Sequence, residues 1–425
     1  MLTRRAFVGA AAGTLLAAEK RPNVLVVMSD QESARLPGPA NLPNRQRLQS
    51  SGLTFRSAFC NTPQCSPARS ALLTGLEPNR TEVVTNVDNG SLGKPLPPSM
   101  PTIGTFFQKA GYRTGYFGKW HLGDRGADQF GFTTASAGKD DAVATHAAAW
   151  IRQQTGPWMA WVSILNPHDI YFPPDGFDAV PIRPGVRPPF STLENLDSKP
   201  PDQKNFAKAT SSKFQNPDDW MHYRSYYLNL VEKVDTNLGT VLGAVPDLNS
   251  TVIAYTTDHG DGLGEHGLGF KGPFMYEELI NIPLVISGPK ELVERGERND
   301  MVCQADLLPT LCGMARVPVP KGLSGIDLMA KRNARDAVFL EYVGQQKKIY
   351  PIRTIRTDRW KLNVYDSGPR EVYDLKGDPH ELTNLAGASQ ARDVELGLQQ
   401  RLDNWRPSIT ELERQSPGRY LLKAP

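Results

Sequence analysis

The sequence predicts an α/β protein: a large mixed, mostly parallel sheet with helices on both faces, joined to a small C-terminal antiparallel sheet with a helix. Three observations carry this. Residues 23–28 and 251–256 are short runs without polar–apolar alternation, the pattern of strands buried on both faces of a parallel sheet. Segments of helical period stand between them, and strand–helix alternation places helices on both sides of such a sheet. Residues 336–425 change to short strands separated by turns, followed by a helical pattern.

In chain order, the first element is a leader. Thr3-Arg4-Arg5-Ala6-Phe7 precedes a small-residue apolar run at 8–18. A charged start, a short apolar stretch and an alanine-rich exit form a secretory signal, and paired arginines before an aromatic fit its twin-Arg variety. Residues 1–18 are read as that signal, so the expected location is outside the cytoplasm, in the periplasm. The run is too short to span a bilayer, and no other stretch is apolar enough to do so. Residues 20–335 are expected to form the main domain, with helices at 103–110 and 223–242. The second carries Tyr227, Leu230, Val231, Val234, Leu238 and Val241 on one stripe. Residues 172–220, rich in Pro, Asp, Ser and Asn with little periodicity, read as an irregular insertion. In the C-terminal subdomain, strands are expected at 353–356, 360–362 and 371–375, and a closing helix at 394–405.

Composition narrows the class. With 425 residues, 39% hydrophobic and 22% charged, the chain can bury a core and is not disordered. The formal net charge of +3 includes two arginines of the leader, so nothing calls for nucleic acid or an acidic membrane surface. Four cysteines are too few for a disulfide scaffold. Cys303 and Cys312 would sit roughly 13 Å apart on a continuous helix, too far to bridge, and read as buried thiols.

Chemistry gathers at strand ends. Ligands of parallel sheets bind beyond the carboxyl ends of strands. There the first run ends in Ser29-Asp30-Gln31 and the second in Thr257-Asp258-His259-Gly260, two metal-capable endings that hint at one shared site. The sharpest local signal is Cys65-Ser66-Pro67-Ala68-Arg69-Ser70-Ala71-Leu72-Leu73-Thr74-Gly75. Pro67 suits a first helical turn and Gly75 a helix end. Cys65 then sits just before a helix N-terminus, where free N–H groups favour anions. Arg69 adds positive charge one turn on. Such a place suits a low-pKa thiolate or an oxyanion-binding nucleophile.

This Cys-x-Pro-x-Arg helix, with its Leu-Leu-Thr-Gly extension, resembles the type I sulfatases of the alkaline phosphatase superfamily. Other segments match in family order: Asp30-Gln31, Gly118-Lys119-Trp120-His121-Leu122-Gly123, Asn166-Pro167-His168, Asp258-His259-Gly260, Gly264-Glu265-His266-Gly267 with Lys271-Gly272-Pro273, and a C-terminal Tyr373-Asp374-Leu375 with Asp378-Pro379-His380. The resemblance departs from the pattern at Gln31, where aspartate is usual, and is weakest from 172 to 220. It implies that a formylglycine-generating enzyme oxidises Cys65 to 3-oxoalanine (formylglycine). It also implies that Asp30, Gln31, Asp258 and His259 hold one divalent cation, Ca²⁺ by its oxygen preference, with Mn²⁺ or Mg²⁺ open because of the imidazole. Arg69, Lys119 and Lys271 would hold sulfate. His168 would give a proton to the leaving alcohol and His121 take one from the hydrated aldehyde, two roles that can be exchanged. One hydroxyl of that aldehyde attacks sulfur and the other, once deprotonated, expels sulfate; serine would stall at the covalent stage.

The implied activity is hydrolysis of sulfate esters, with a sulfated small molecule or saccharide as substrate and sulfated carbohydrate preferred. Two alternatives stay open: a phosphodiester or phosphonate monoester hydrolase of the same superfamily, and an inactive exported binding protein in which Cys65 remains a thiol.

Overall fold

A computed structural model of the chain describes residues 21–422, except 192–195, 197–198, 212–213, 215, 331 and 333–334. The leader read at 1–18 lies outside the described residues.

The apolar run after the leader becomes the strand Asn23–Asp30, inside an eight-stranded sheet. From edge to edge the strands are Thr134–Ser136, Arg113–Gly118, Trp158–Pro167, Asn23–Asp30, Thr251–Thr257, Val285–Ser287, Gly52–Phe55 and Gly296–Arg298. All pairings are parallel except the two made by Val285–Ser287. The lack of alternation in the central strands has a direct cause. Val24, Val26 and Met28 enter one core with Val252 and Ala254, while Leu25 and Val27 enter the other with Ile253 and Tyr255. A strand with two buried faces has no side on which to place polar residues.

One face is covered by the helices Asp140–Arg152 and Pro217–Leu242, which contribute Ala147, Ile151, Val234, Leu238 and Val241. The other is covered by Cys65–Thr74, Ile103–Lys109 and Leu307–Met314 through Leu72, Leu73, Phe107, Leu308 and Leu311. The helix expected from Tyr223 begins earlier, at Pro217. Asn216 and Asp219 cap it reciprocally, with the proline in the first turn. Those start signals are polar and do not show in apolar periodicity.

The segment expected to be irregular contains a helix, Pro201–Ser211. Polar contacts dock it. Gln203 Nε2 donates to Tyr365 Oη and Glu371, and Lys199 Nζ to Tyr373 Oη and the Glu381 carbonyl. Of its apolar residues, Phe206 and Ala207 pack on the core as well, too few to show a helical period in the sequence.

The C-terminal sheet is an antiparallel meander of Ala337–Gln345, Lys348–Thr357, Trp360–Tyr365 and Arg370–Asp374, one strand more than expected. The helix Arg392–Trp405 packs Leu398 and Leu402 on Ile355, Leu362 and Val372. This sheet is locked to the larger one by charge. Buried Lys361 donates to the Met275 carbonyl and pairs with Glu277 and Glu381, and Arg356 also pairs with Glu277. Among the described residues no helix is long and apolar enough to cross a membrane.

Candidate active site

The register of the two central strands sets the site. Ser29 pairs with Thr257, so both strands end together and Asp30 and Asp258 leave the sheet side by side, each fully buried. The helix Cys65–Thr74 aims its N-terminus at this edge. Its N-cap is Gln64 and it ends at Gly75, whose φ of 68° lies in the left-handed region and whose N–H returns to Ala71 O. Cys65 is therefore the first helical residue, one step further in than expected.

Four charged or ionisable groups face the Cys65 sulfur. Lys271 Nζ is 3.1 Å away, His259 Nε2 3.3 Å, Lys119 Nζ 3.6 Å and Asp30 Oδ1 3.7 Å. Burial and Asp30 push the thiol pKa up, but Lys119, Lys271 and His259 outweigh them and hold it well below the usual range. Cys60 is equally buried, and burial leaves its pKa well above the ordinary value. It makes no bridge to Cys65; all four cysteines are free and buried.

Arg69 organises the carboxylates. Its Nε donates to Asp258 Oδ2 at 2.9 Å and its Nη2 to Asp30 Oδ2 at 2.8 Å, while Nη1 reaches Ser163 Oγ and the Lys119 carbonyl. Lys119 adds a 2.6 Å contact to Asp30 Oδ2. Lys119 follows Gly118, whose φ is 103° and where a Cβ would fall 2.0 Å from Ser163 O. Only glycine lets this strand end press against its neighbour.

The remaining expected residues converge on the same place. Lys271 Nζ donates to Gln31 Oε1 at 2.8 Å. His121 Nε2 bonds Asp88 Oδ1 at 2.7 Å; burial lowers its pKa, but Asp88 and Cys65 raise it overall. His168 packs against Tyr171, ring centroids 5.0 Å apart. Burial lowers its pKa, Lys271 and Lys119 lower it further, and against the opposing pull of Asp30 it settles at about 4.

Asp30, Cys65, Asp258 and His259 each offer a ligand atom, all within 4.8 Å of one another. His259 Nδ1–H donates to the Gly260 carbonyl at 2.9 Å, which turns Nε2 toward the cluster. Asp30 is held ionised against its burial by the charges of Lys119, Arg69 and Lys271. Asp258 is pushed up, by burial and then by Asp30. Two buried carboxylates in mutual repulsion beside an oriented imidazole fit a divalent cation.

Three partners were not found in the sequence: Ser163 on Arg69, Asp88 on His121, and Asp261, which accepts from Gln31 Nε2 at 2.7 Å. Asp261 stands three residues after Asp258 and carried a signal that was not used. Asp88 and Ser163 arrive from distant segments with none. Glu265 and His266 shape the loop that carries Lys271: Glu265 pairs with Arg224 and accepts from Phe190 N–H, and His266 stacks on Tyr276.

An α/β sheet carrying at its carboxyl edge a helix-headed thiol, two carboxylates and a ring of cationic side chains defines a hydrolase of anionic esters in the alkaline phosphatase-like superfamily. The chain belongs to the sulfatase family: the family model "Sulfatase" matches residues 22–317, and a second model, "N-sulphoglucosamine sulphohydrolase, C-terminal", matches 264–408. It is 27% identical to a Delta 4,5-hexuronate-2-O-sulfatase of Bacteroides thetaiotaomicron, over 88% of this chain and 86% of that one. Its fold is similar to that of a 2-O glycosaminoglycan sulfatase (TM-score 0.80, 23% identity, 93% and 94% of the two chains). It is also similar to the phosphonate monoester hydrolase of Agrobacterium radiobacter (TM-score 0.75, 22% identity, 90% and 95%).

Proposed function

We propose that the protein hydrolyses sulfate esters of carbohydrates, with Cys65 matured to formylglycine and one divalent cation, Ca²⁺ in preference to Mn²⁺ or Mg²⁺, held by Asp30, Gln31, Asp258 and His259. The observation that carries this is the ring of Lys119, Lys271, His259 and Asp30 within 3.7 Å of one helix-headed sulfur. The hydrated aldehyde supplies two hydroxyls on one carbon, one to attack sulfur and one to release sulfate. The cation supplies a fixed positive field for the sulfuryl oxygens.

The chain's own residues do the rest. Lys119 and Lys271 bind the sulfate oxygens, and Arg69 is spent on fixing both carboxylates while adding positive charge beneath the site. His121, oriented by Asp88, takes the proton of the residue at 65. His168 gives a proton to the departing sugar hydroxyl.

The saccharide class rests on a cleft of about 280 Å³ between the helix Pro201–Ser211 and the hairpin tip at 344–348. Asp202, Asn205, Phe206, Gln346, Lys348 and Tyr350 line it, with Pro273 close along the chain to Lys271. The hairpin is tied to the catalytic helix, because Gln64 Nε2 donates to Gly344 O at 2.9 Å. Hydrogen-bonding side chains beside aromatic faces suit a sugar ring. The relatives named for hexuronate and glycosaminoglycan sulfatases support the same class. The twin-Arg leader supports export to the periplasm, after maturation by a formylglycine-generating enzyme.

The test is to express the chain with that maturation enzyme, weigh the Cys65 peptide, and compare rates on sulfated mono- and oligosaccharides, aryl sulfate, a phosphodiester and a phosphonate monoester. An aldehyde at 65 and preference for a sulfated sugar are expected. A preference for phosphorus esters would replace this reading with the phosphonate hydrolase one, and a persistent thiol in active conditions would leave a binding protein.

A further inference from the structure

Gln31 stands where an aspartate is usual, and the structure gives it a defined environment. It is fully buried, with φ of 72°. Its amide is held at both ends. Nε2–H donates to Asp261 Oδ2 at 2.7 Å, and Oε1 accepts from Lys271 Nζ at 2.8 Å. The backbone is fixed as well, N–H to Asp258 Oδ1 at 3.0 Å and carbonyl from Tyr227 Oη at 2.9 Å.

Asp261 is also fully buried, and each group hydrogen-bonded to it is a donor. Leu263 N–H reaches Oδ1 at 2.8 Å, and the Tyr223 hydroxyl lies 2.8 and 2.9 Å from the two oxygens. An ionised carboxylate only accepts. The amide of Gln31 must therefore turn its nitrogen to Asp261 and its oxygen to Lys271.

We propose that Asp261 is a positioning residue that locks the Gln31 amide with its oxygen toward the cation site. The two form a matched pair of donor and acceptor, an amide against a carboxylate. The proposal rests on the reading that Gln31 is a ligand of the cation.

The pairing reverses an expectation drawn from charge alone. Gln31→Glu adds a carboxylate to a cation site and by simple counting should tighten binding. Here its oxygen would oppose Asp261 at hydrogen-bond distance, and two buried carboxylates so close cannot both ionise. Asp261→Asn must turn an N–H₂ toward either Gln31 or Leu263 N–H, donor against donor, and the Gln31 amide is free to turn over. In the double variant Gln31→Glu/Asp261→Asn the pair is restored with the charge exchanged: the introduced amide donates to the introduced carboxylate and accepts from Leu263 and Tyr223.

Calorimetric titration of Ca²⁺ into matured, metal-stripped protein tests this without reference to turnover. Each single variant is expected to bind about tenfold more weakly or worse, the usual scale for outer-shell changes, and the double variant to return to within about threefold of the parent. Tighter binding by Gln31→Glu alone, or a double variant weaker than both singles, would overturn the proposal. If the singles fail to fold, a double variant that melts near the parent temperature shows the same coupling, and one that also fails to fold refutes it. A parent that binds none of Ca²⁺, Mn²⁺ or Mg²⁺ would instead overturn the cation site itself.

Discussion

Two buried clusters of charge flank the loop at 271–277, and they are built to opposite ends. On one side, Glu277 is enclosed by Arg35, Arg356 and Lys361. Burial would raise its pKa, but those three cations hold it well below the carboxylate range. This cluster is closed: cations surround the anion and join two sheets. On the other side, Asp30 and Asp258 crowd one another beside Cys65, and Asp258 is pushed up by burial and by its neighbour. Lys119 and Lys271 face inward around the sulfur. This cluster is open in the electrostatic sense, with negative charge placed for a cation and positive charge placed for an anion. The difference separates stability from function within a few residues of chain.

The separation predicts that each cluster can be broken alone. Cys65→Ala and Lys271→Ala should each reduce turnover of a sulfate ester by roughly 10³-fold or more, since one removes the nucleophile and the other a charge aimed at the transition state. Their melting temperatures should stay near the parent's. A large loss of melting temperature in Cys65→Ala would show that the open cluster is structural after all. Chelation should act on both quantities, abolishing turnover and lowering the melting temperature, with Ca²⁺ restoring them. A bound ion at 100 times its Kd is worth about 2.7 kcal/mol. Full activity in metal-free protein would remove the cation from the account.

The converse change is Glu277→Gln. It leaves Arg356 beside a neutral amide while Lys361 keeps Glu381, and breaking a buried pair in this way costs about 3 kcal/mol or more. Urea unfolding should show that loss, while kcat of the folded fraction stays within a few-fold of the parent. A kcat that collapses while stability holds would mean that the closed cluster also positions Lys271.

Much of this was legible because the relevant residues are local. The runs before Asp30 and Asp258 show two-sided burial directly, and Cys65 with Pro67, Arg69 and Gly75 spells a helix whose head faces an anion. The strand ends hinted that Asp30 and Asp258 share a site, while the placing of Cys65 at that site came from the family resemblance. The helix Pro201–Ser211 was not legible, because Lys199 and Gln203 dock the segment by hydrogen bonds to residues more than 160 positions away. Asp88 and Ser163 meet partners 33 and 94 positions away, with no local pattern to announce either contact. Gln31 was visible as a departure from the family pattern, but its meaning needed Asp261 beside it.

The smallest expected effect tests the division of labour between the two histidines. In the resting site His168 is half-buried facing Lys119 and Lys271, and its pKa is about 4, so the imidazole is neutral at pH 7. A sulfate ester bound between those lysines brings negative charge to the same place, which favours the imidazolium and raises the pKa in the complex. An acid must be protonated to act, so rate is lost as pH rises through its pKa. The free enzyme's value governs kcat/KM and the complex's value governs kcat. The limb that falls with rising pH should therefore lie at higher pH in kcat than in kcat/KM, by about one unit for each 1.4 kcal/mol of stabilisation by substrate. His168→Ala should slow sugar sulfates, whose alkoxide leaving groups need a proton, far more than aryl sulfates, whose phenolates leave unaided. Coincident limbs, or equal losses on both substrates, would transfer the acid role to His121, whose pKa Asp88 and Cys65 already raise.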